Sequence, residues 1–108
     1  MIEKVIQAMI AKDYKAMSEC FAPKCRYFDF CPHGINLQNY HLYGRPSIEM
    51  FFHNKFVFHV INVFDYYIVD DRTANYMVSY AGTYMCVEAR IISVDKDGLI
   101  QEMTVRMA

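Results

Sequence analysis

The segment from Cys20 to Asp29 constrains the fold of this chain more than any other stretch. It has the pattern of a helix end, a break at Pro23, and a strand that carries one carboxylate among aromatic rings. Proline disfavours helical geometry at the residue before it, so we expect the preceding helix to stop here. Side chains of the predicted strand, residues 25–31, alternate in direction. One face therefore carries Cys25, Tyr27, Asp29 and Cys31, and the other carries Arg26, Phe28 and Phe30.

Two short helices are predicted before this strand. The first is amphipathic, because apolar residues recur at helical spacing in Ile2, Val5, Ile6, Met9 and Ile10. Asp13 is a suitable N-cap for the second helix. The apolar side of that helix comprises Tyr14, Met17 and Phe21.

After the strand comes a stretch rich in turn formers and rings, residues 32–43, which we predict to be a loop. A loop of this length is either a lid over a binding site or an arm that packs on a partner subunit. A third helix follows, because Pro46 suits a first helical turn. Its apolar side comprises Ile48, Phe51 and Phe52.

From Phe56 onward the chain is strand-like to its end. Four strands are predicted, at residues 56–69, 75–81, 84–94 and 99–107, with turns at Asp70–Arg72, at Gly82-Thr83 as type II′, and at Asp95–Gly98. Helices separated from a run of antiparallel strands indicate an α+β fold. We expect one domain, residues 1–108, in which three helices pack on a strongly curved sheet and form a cone that encloses a pocket.

Composition narrows the classes of partner. Hydrophobic residues make up 55% of the chain, above the usual ~45–50%, so the excess either lines a cavity or is buried between subunits. We therefore expect a homodimer. The net charge of −1 and the scattered basic residues offer no stripe for nucleic acid. No apolar run is long enough for a membrane span, and Met1–Lys4 lacks the layout of a signal peptide, so we expect a cytoplasmic location.

The cysteines and histidines do not predict a metal site. Cys20, Cys25, Cys31 and Cys86 form no CxxC pair and are expected to be reduced thiols. Cys31, His33 and His41 match no ligand spacing, so no metal is expected. No organic cofactor is expected either, since proton transfer needs only a tuned acid and a donor. His53 falls near the end of the third predicted helix, where a histidine caps free carbonyls.

Asp29 is the acid best placed for chemistry. Aromatic neighbours would desolvate its carboxyl group and raise its pKa, which suits a general base near neutral pH. The alternative is a structural carboxylate that pairs with Arg26, Arg90 or a tyrosine hydroxyl.

The ligand-binding residues are predicted from strand alternation and chemistry. Tyrosine combines an apolar body with a polar tip, and the candidates are Tyr14, Tyr27, Tyr76 and Tyr80. His41 is a candidate acid or base whose role depends on the path of the 32–43 loop. Arg90 shares a strand face with Glu88. If that face points inward, the Glu88–Arg90 pair binds an anionic or polar ligand. If it points outward, the pair is solvated or lies at a dimer interface.

The order of elements resembles the nuclear transport factor 2-like superfamily, which includes SnoaL-like polyketide cyclases and ketosteroid isomerases. The matching residues cover essentially the whole chain: Lys12–Ala16, Cys20–Pro23, Tyr27–Asp29, Gly44–Ile48, Phe51-Phe52 and Asp95–Ile100. The resemblance implies a cystatin-like cone. Because the superfamily includes enzymes and non-catalytic modules, it is more specific for fold than for function.

In the ketosteroid isomerases, the acid at the position of Asp29 is the general base. Val5 and Arg90 stand where these isomerases carry their oxyanion donors. The resemblance therefore implies a small hydrophobic or polar-aromatic ligand in the cone, with cofactor-independent proton transfer by Asp29 of the isomerase, cyclase or hydratase kind. The alternative is a non-catalytic dimeric module that binds a ligand or a protein.

Overall fold

The computed structural model describes every residue from Met1 to Ala108 and has the predicted α+β architecture. Its three α-helices are α1 (Ile2–Ile10), α2 (Tyr14–Glu19) and α3 (Arg45–Val57). Its six strands are β1 (Phe21–Asp29), β2 (Tyr40–Tyr43), β3 (Asn62–Asp70), β4 (Thr73–Tyr80), β5 (Thr83–Val94) and β6 (Ile100–Met107). A 3₁₀ turn, Pro32–Ile35, separates β1 from β2. None of the helices combines the length and apolar character needed to cross a bilayer.

All strands belong to one sheet, in the order β2-β1-β6-β5-β4-β3. β3 to β6 form the predicted antiparallel meander, and β1 lies parallel to β6. Register shifts interrupt the β3–β4 and β5–β6 ladders, and such irregularities bend a sheet. The curved sheet wraps the three helices on one face, as predicted, and leaves its other face without a helix.

The core lies between the helices and the inner face of the sheet. The apolar stripe of α1 is buried as predicted, except that Ile10, at the end of the helix, is 39% exposed. On β5, alternate side chains enter the core. The buried residues of that strand are Val87, Ala89 and Ile91.

Pro23 does not stop the second helix, contrary to the prediction. α2 ends at Glu19, and Pro23 lies inside β1. The β1–β6 pairing shifts between Phe21 and Arg26, so a residue without a backbone N–H sits where the ladder is already interrupted. The irregularity at Pro23 is therefore an interruption of strand pairing and not the end of a helix.

The start of α3 is tied to this irregular part of β1. The Arg45 guanidinium donates two hydrogen bonds to the Phe21 carbonyl, at 2.9 Å from Nε and 2.6 Å from Nη2. The Gly44 N–H donates to the Cys25 carbonyl at 2.9 Å. These contacts bond strand carbonyls and fix where α3 begins.

Three boundaries in the middle of the chain differ from prediction. Residues 40–43 form the edge strand β2 instead of a loop, with Tyr40 opposite Asp29. α3 continues to Val57, so the predicted strand from residue 56 begins only at Asn62. His53 is therefore inside the helix rather than at its end, and its Nδ1 lies 3.0 Å from Asn54 Oδ1.

The β4–β5 hairpin has a different turn from the predicted one. Tyr80 pairs with Thr83, so the loop is Ala81-Gly82. Both loop residues have positive φ, +50° and +81°, which defines a type I′ turn rather than type II′. The predicted Asp95–Gly98 turn is confirmed, with Gly98 at φ +79°.

Candidate functional site

A cavity of about 120 Å³ opens between α3, the inner face of the sheet and the segment that follows β1. Its wall is apolar, since 16 of the 19 lining residues are hydrophobic. Asp29 and Lys55 are the only charged residues on that wall. Any polar contact with a bound molecule therefore involves few groups, and these two carry the charge.

Asp29 is the last residue of β1, and its side chain turns toward the cavity with that of Tyr27. The Cys31 N–H donates a hydrogen bond to Asp29 Oδ1 at 2.9 Å, which orients the carboxyl group. Burial raises the pKa of Asp29, and this effect outweighs the opposing influence of the Cys31 hydrogen bonds and the Lys55 charge. The carboxyl group is thus a stronger base than an exposed aspartate.

Two tyrosine hydroxyls border the same space. Tyr27 on β1 and Tyr76 on β4 are buried, and no protein group hydrogen-bonds to either hydroxyl. Burial, and then the charge of Asp29, raise the pKa of both tyrosines well above the usual value. Both hydroxyls stay protonated near neutral pH and can donate to an oxygen of a bound molecule.

Lys55 brings the only positive charge to the cavity. It lies near the end of α3, and its Nζ donates a hydrogen bond to the Tyr40 hydroxyl at 3.1 Å. The ring centroids of Tyr40, Phe51 and Tyr80 lie 4.7, 5.4 and 5.1 Å from Nζ. Sequence reasoning did not identify Lys55. The sequence did contain a signal for its position. Lys55 is four residues after Phe51, so both lie on the same face of the helix.

The structure brings together four of the predicted site residues and leaves three elsewhere. Those on the cavity wall are Asp29, Tyr27, Tyr76 and Tyr80. Tyr14 packs edge-on against His53, with centroids 4.9 Å apart. His41 packs against Phe28, with centroids 5.3 Å apart, on the opposite face of the sheet.

Arg90 is also outside the cavity. Val87, Ala89 and Ile91 occupy the inner side of β5, so alternation turns Glu88 and Arg90 outward. Arg90 Nη2 lies 3.6 Å from Glu88 Oε1. Val5 is fully buried in the core. Neither position of the isomerase oxyanion pair therefore contributes a polar group to this cavity.

Solved structures share this fold over nearly the whole chain. A candidate ketosteroid isomerase from Kribbella flavida is similar with a TM-score of 0.67 and 15% identity, over 99% of this chain and 74% of that chain. An NTF2-like protein of unknown function from Cytophaga hutchinsonii has a TM-score of 0.68 and 11% identity, over 99% of this chain and 86% of that chain. A protein with a cystatin-like fold from Silicibacter pomeroyi has a TM-score of 0.67 and 17% identity, over 99% of this chain and 72% of that chain.

These similarities show that the chain has the nuclear transport factor 2-like fold, and they confirm the predicted cystatin-like architecture. No protein-family model matches the sequence, and no curated protein matches it. Identities of 11–17% show the fold alone, because one fold supports many functions.

Proposed function

We propose that the protein binds a small, mostly apolar ring compound in the cavity. We further propose that Asp29 removes a proton from the carbon next to a carbonyl group of this compound and then returns it. One observation carries this proposal. A carboxyl group with a raised pKa lies on a mostly apolar wall that also carries two tyrosine hydroxyls without a protein partner. Perturbed acids in apolar pockets are candidates for general acid–base chemistry.

The size of the cavity limits the ligand. Its volume is about 120 Å³, and a dry engineered cavity of roughly 150 Å³ is known to accept benzene. A cavity of this volume therefore suits a single ring. A larger molecule would extend beyond this volume, either into solvent or by displacing Pro32, Ile35 and Leu37, of which Leu37 is 54% exposed.

The chemistry needs no group beyond those on the wall. The Asp29 carboxylate takes a proton from the carbon beside the carbonyl, which leaves a carboxylic acid and an enolate. Tyr27 and Tyr76 donate hydrogen bonds to the enolate oxygen, where negative charge develops. Asp29 then returns the proton to the same or to another carbon. Return to another carbon moves a double bond, which is an isomerisation.

Hydrogen exchange of cyclohexanone in D₂O tests the proposal without the natural substrate. We expect the wild type to accelerate deuterium incorporation beside the carbonyl, measured by NMR. Asp29→Asn should reduce this acceleration by roughly 10²–10⁴-fold, the usual contribution of a general base. Asp65→Asn, at an exposed site on β3, serves as the matched control. The catalytic proposal fails if cyclohexanone binds but exchanges at the rate seen without protein.

The outer face of the sheet favours a second candidate function, a dimeric binding module. Phe28 packs against His41 and Tyr43, and Tyr43 remains 60% exposed. The same face carries charges of both signs, including the ion pairs Arg26–Glu102 at 2.8 Å and Arg106–Glu88 at 3.0 Å. Because a two-fold contact sets a surface against itself, mixed charges around an apolar patch suit a second copy of this chain.

Light scattering tests the dimer. We expect a dimer at micromolar concentration, and Tyr43→Glu should shift the protein toward monomer by placing a charge in the patch. Met50→Glu, on the exposed side of α3, should leave the mass unchanged. A wild-type mass equal to one chain would rule the dimer out.

A further inference from the structure

We propose that Lys55 is the anion-binding residue of the cavity and that the ligand is a small ring compound that carries a carboxylate. The inference rests on the proposed function, because it concerns the same cavity. It specifies two further properties of the ligand, namely its negative charge and its orientation in the cavity.

The hydrogen bonds of Lys55 are incomplete. An ammonium group has three N–H donors. One is used by the Tyr40 hydroxyl at 3.1 Å, and no carboxylate lies within 4.0 Å of Lys55 Nζ. The other two donors of this charged group have no protein acceptor, and Lys55 lies on the cavity wall.

Aromatic rings hold this charge in place. Tyr40 lies on β2 at one edge of the sheet, and Tyr80 lies on β4, next to the strand at the other edge. Phe51 lies on the same helix as Lys55, and its ring centroid is 5.4 Å from Lys55 Nζ. Cation–π contacts stabilise the cation without neutralising it. An anion in this apolar setting is attracted more strongly than in water.

Asp29 fixes the orientation of the ligand. Its carboxylate would repel an anionic oxygen, whereas Lys55 attracts one. The anionic end of the ligand therefore lies at Lys55, and the carbon that exchanges a proton lies toward Asp29.

Benzoate and benzamide are suitable probes, because they share a planar ring and differ mainly in charge. Binding is followed by NMR through the shifts of the cavity residues Val78 and Met85. We expect benzoate to bind the wild type about tenfold more tightly than benzamide, the effect of a hydrogen-bonded charge. Lys55→Met should remove this preference and leave benzamide binding nearly unchanged. Lys15→Met, at an exposed site on α2, should keep the preference.

Further variants separate recognition from structure. Lys55→Arg keeps the charge and should keep the preference for benzoate. Asp29→Asn removes the repulsion and should strengthen benzoate binding alone. Equal affinity of the wild type for both probes overturns the role of Lys55 but leaves the cavity as a binding site. Absence of binding by both probes overturns the single-ring ligand itself, and with it the proposed function.

Discussion

Asp29 and Lys55 carry opposite charges on the wall of one cavity, yet they form no ion pair. Asp29 accepts from the Cys31 N–H, and Lys55 donates to Tyr40, so each side chain is held on its own side. Their influence on each other is electrostatic, since the Lys55 charge partly opposes the rise in the pKa of Asp29. Keeping these charges apart leaves both available to a bound molecule.

The stability of the protein should fall as pH rises because of Asp29. Burial raises its folded-state pKa, so the folded chain keeps this proton to a higher pH than the unfolded chain, where the pKa is about 4. The folded state thus binds more protons in that window, and stability decreases until the folded-state pKa is passed. Asp29→Asn removes the ionisation and should raise the melting temperature at pH 7, but less so at pH 4.

The measurement is thermal unfolding of both proteins at the two pH values. An asparagine oxygen can still accept from the Cys31 N–H, so the comparison isolates the charge. Asp65→Asn is again the control, since Asp65 is exposed and asparagine tolerates its φ of +50°. A stabilisation of equal size at both pH values would show that burial of the charge is not the cause.

Substitutions along α1 should separate buried from exposed positions. Ile6 is fully buried, and Ile6→Ala should lower the free energy of unfolding by about 2–5 kcal/mol through lost contacts and a cavity. Ile10→Ala makes the same change on the same helix at a partly exposed site, and it should be clearly less destabilising. Urea denaturation measures both, and comparable losses would contradict the observed packing of α1.

The β4–β5 hairpin carries strain that a substitution can relieve. Ala81 adopts φ +50°, which disfavours alanine, and a type I′ turn prefers Asn-Gly. Ala81→Asn should stabilise the protein by up to about 1 kcal/mol, because asparagine tolerates the left-handed conformation better than alanine. Gly82→Ala should destabilise it, although a Cβ at Gly82 would meet no atom within 4 Å, because its φ is +81°. If both changes are neutral in urea denaturation, the turn is not type I′.

The link between Arg45 and β1 should contribute to stability. Its guanidinium makes two hydrogen bonds to the Phe21 carbonyl beside the interrupted ladder. Arg45→Met leaves that carbonyl without these donors and should lower the free energy of unfolding by about 1–3 kcal/mol. Arg72→Met, on the exposed β3–β4 turn, should change it by less than about 0.5 kcal/mol. Chemical denaturation that gives equal values for both variants would refute the anchoring role.

Much of the fold could be predicted because its signals are local. The spacing of apolar residues predicted α1, and Gly44-Arg45-Pro46 predicted the start of α3. Alternation along β1 placed Tyr27 and Asp29 on the same side, and the structure turns both toward the cavity. These features depend on backbone geometry within one element, so neighbouring residues are sufficient to specify them.

Other features depend on residues distant in the sequence, and only the tertiary structure decided them. β2 is a strand because β1 offers it a pairing edge, and Pro23 fits in a strand because the β6 ladder is interrupted there. Lys55 reaches Tyr40 and Tyr80 only after the sheet has curved, since those residues lie on separate strands. The sequence by itself determined that the Asp29 carboxylate lies on the cavity wall. The curvature of the sheet determined that Lys55 lies on the same wall, because its contacts join a helix to strands that no local pattern connects.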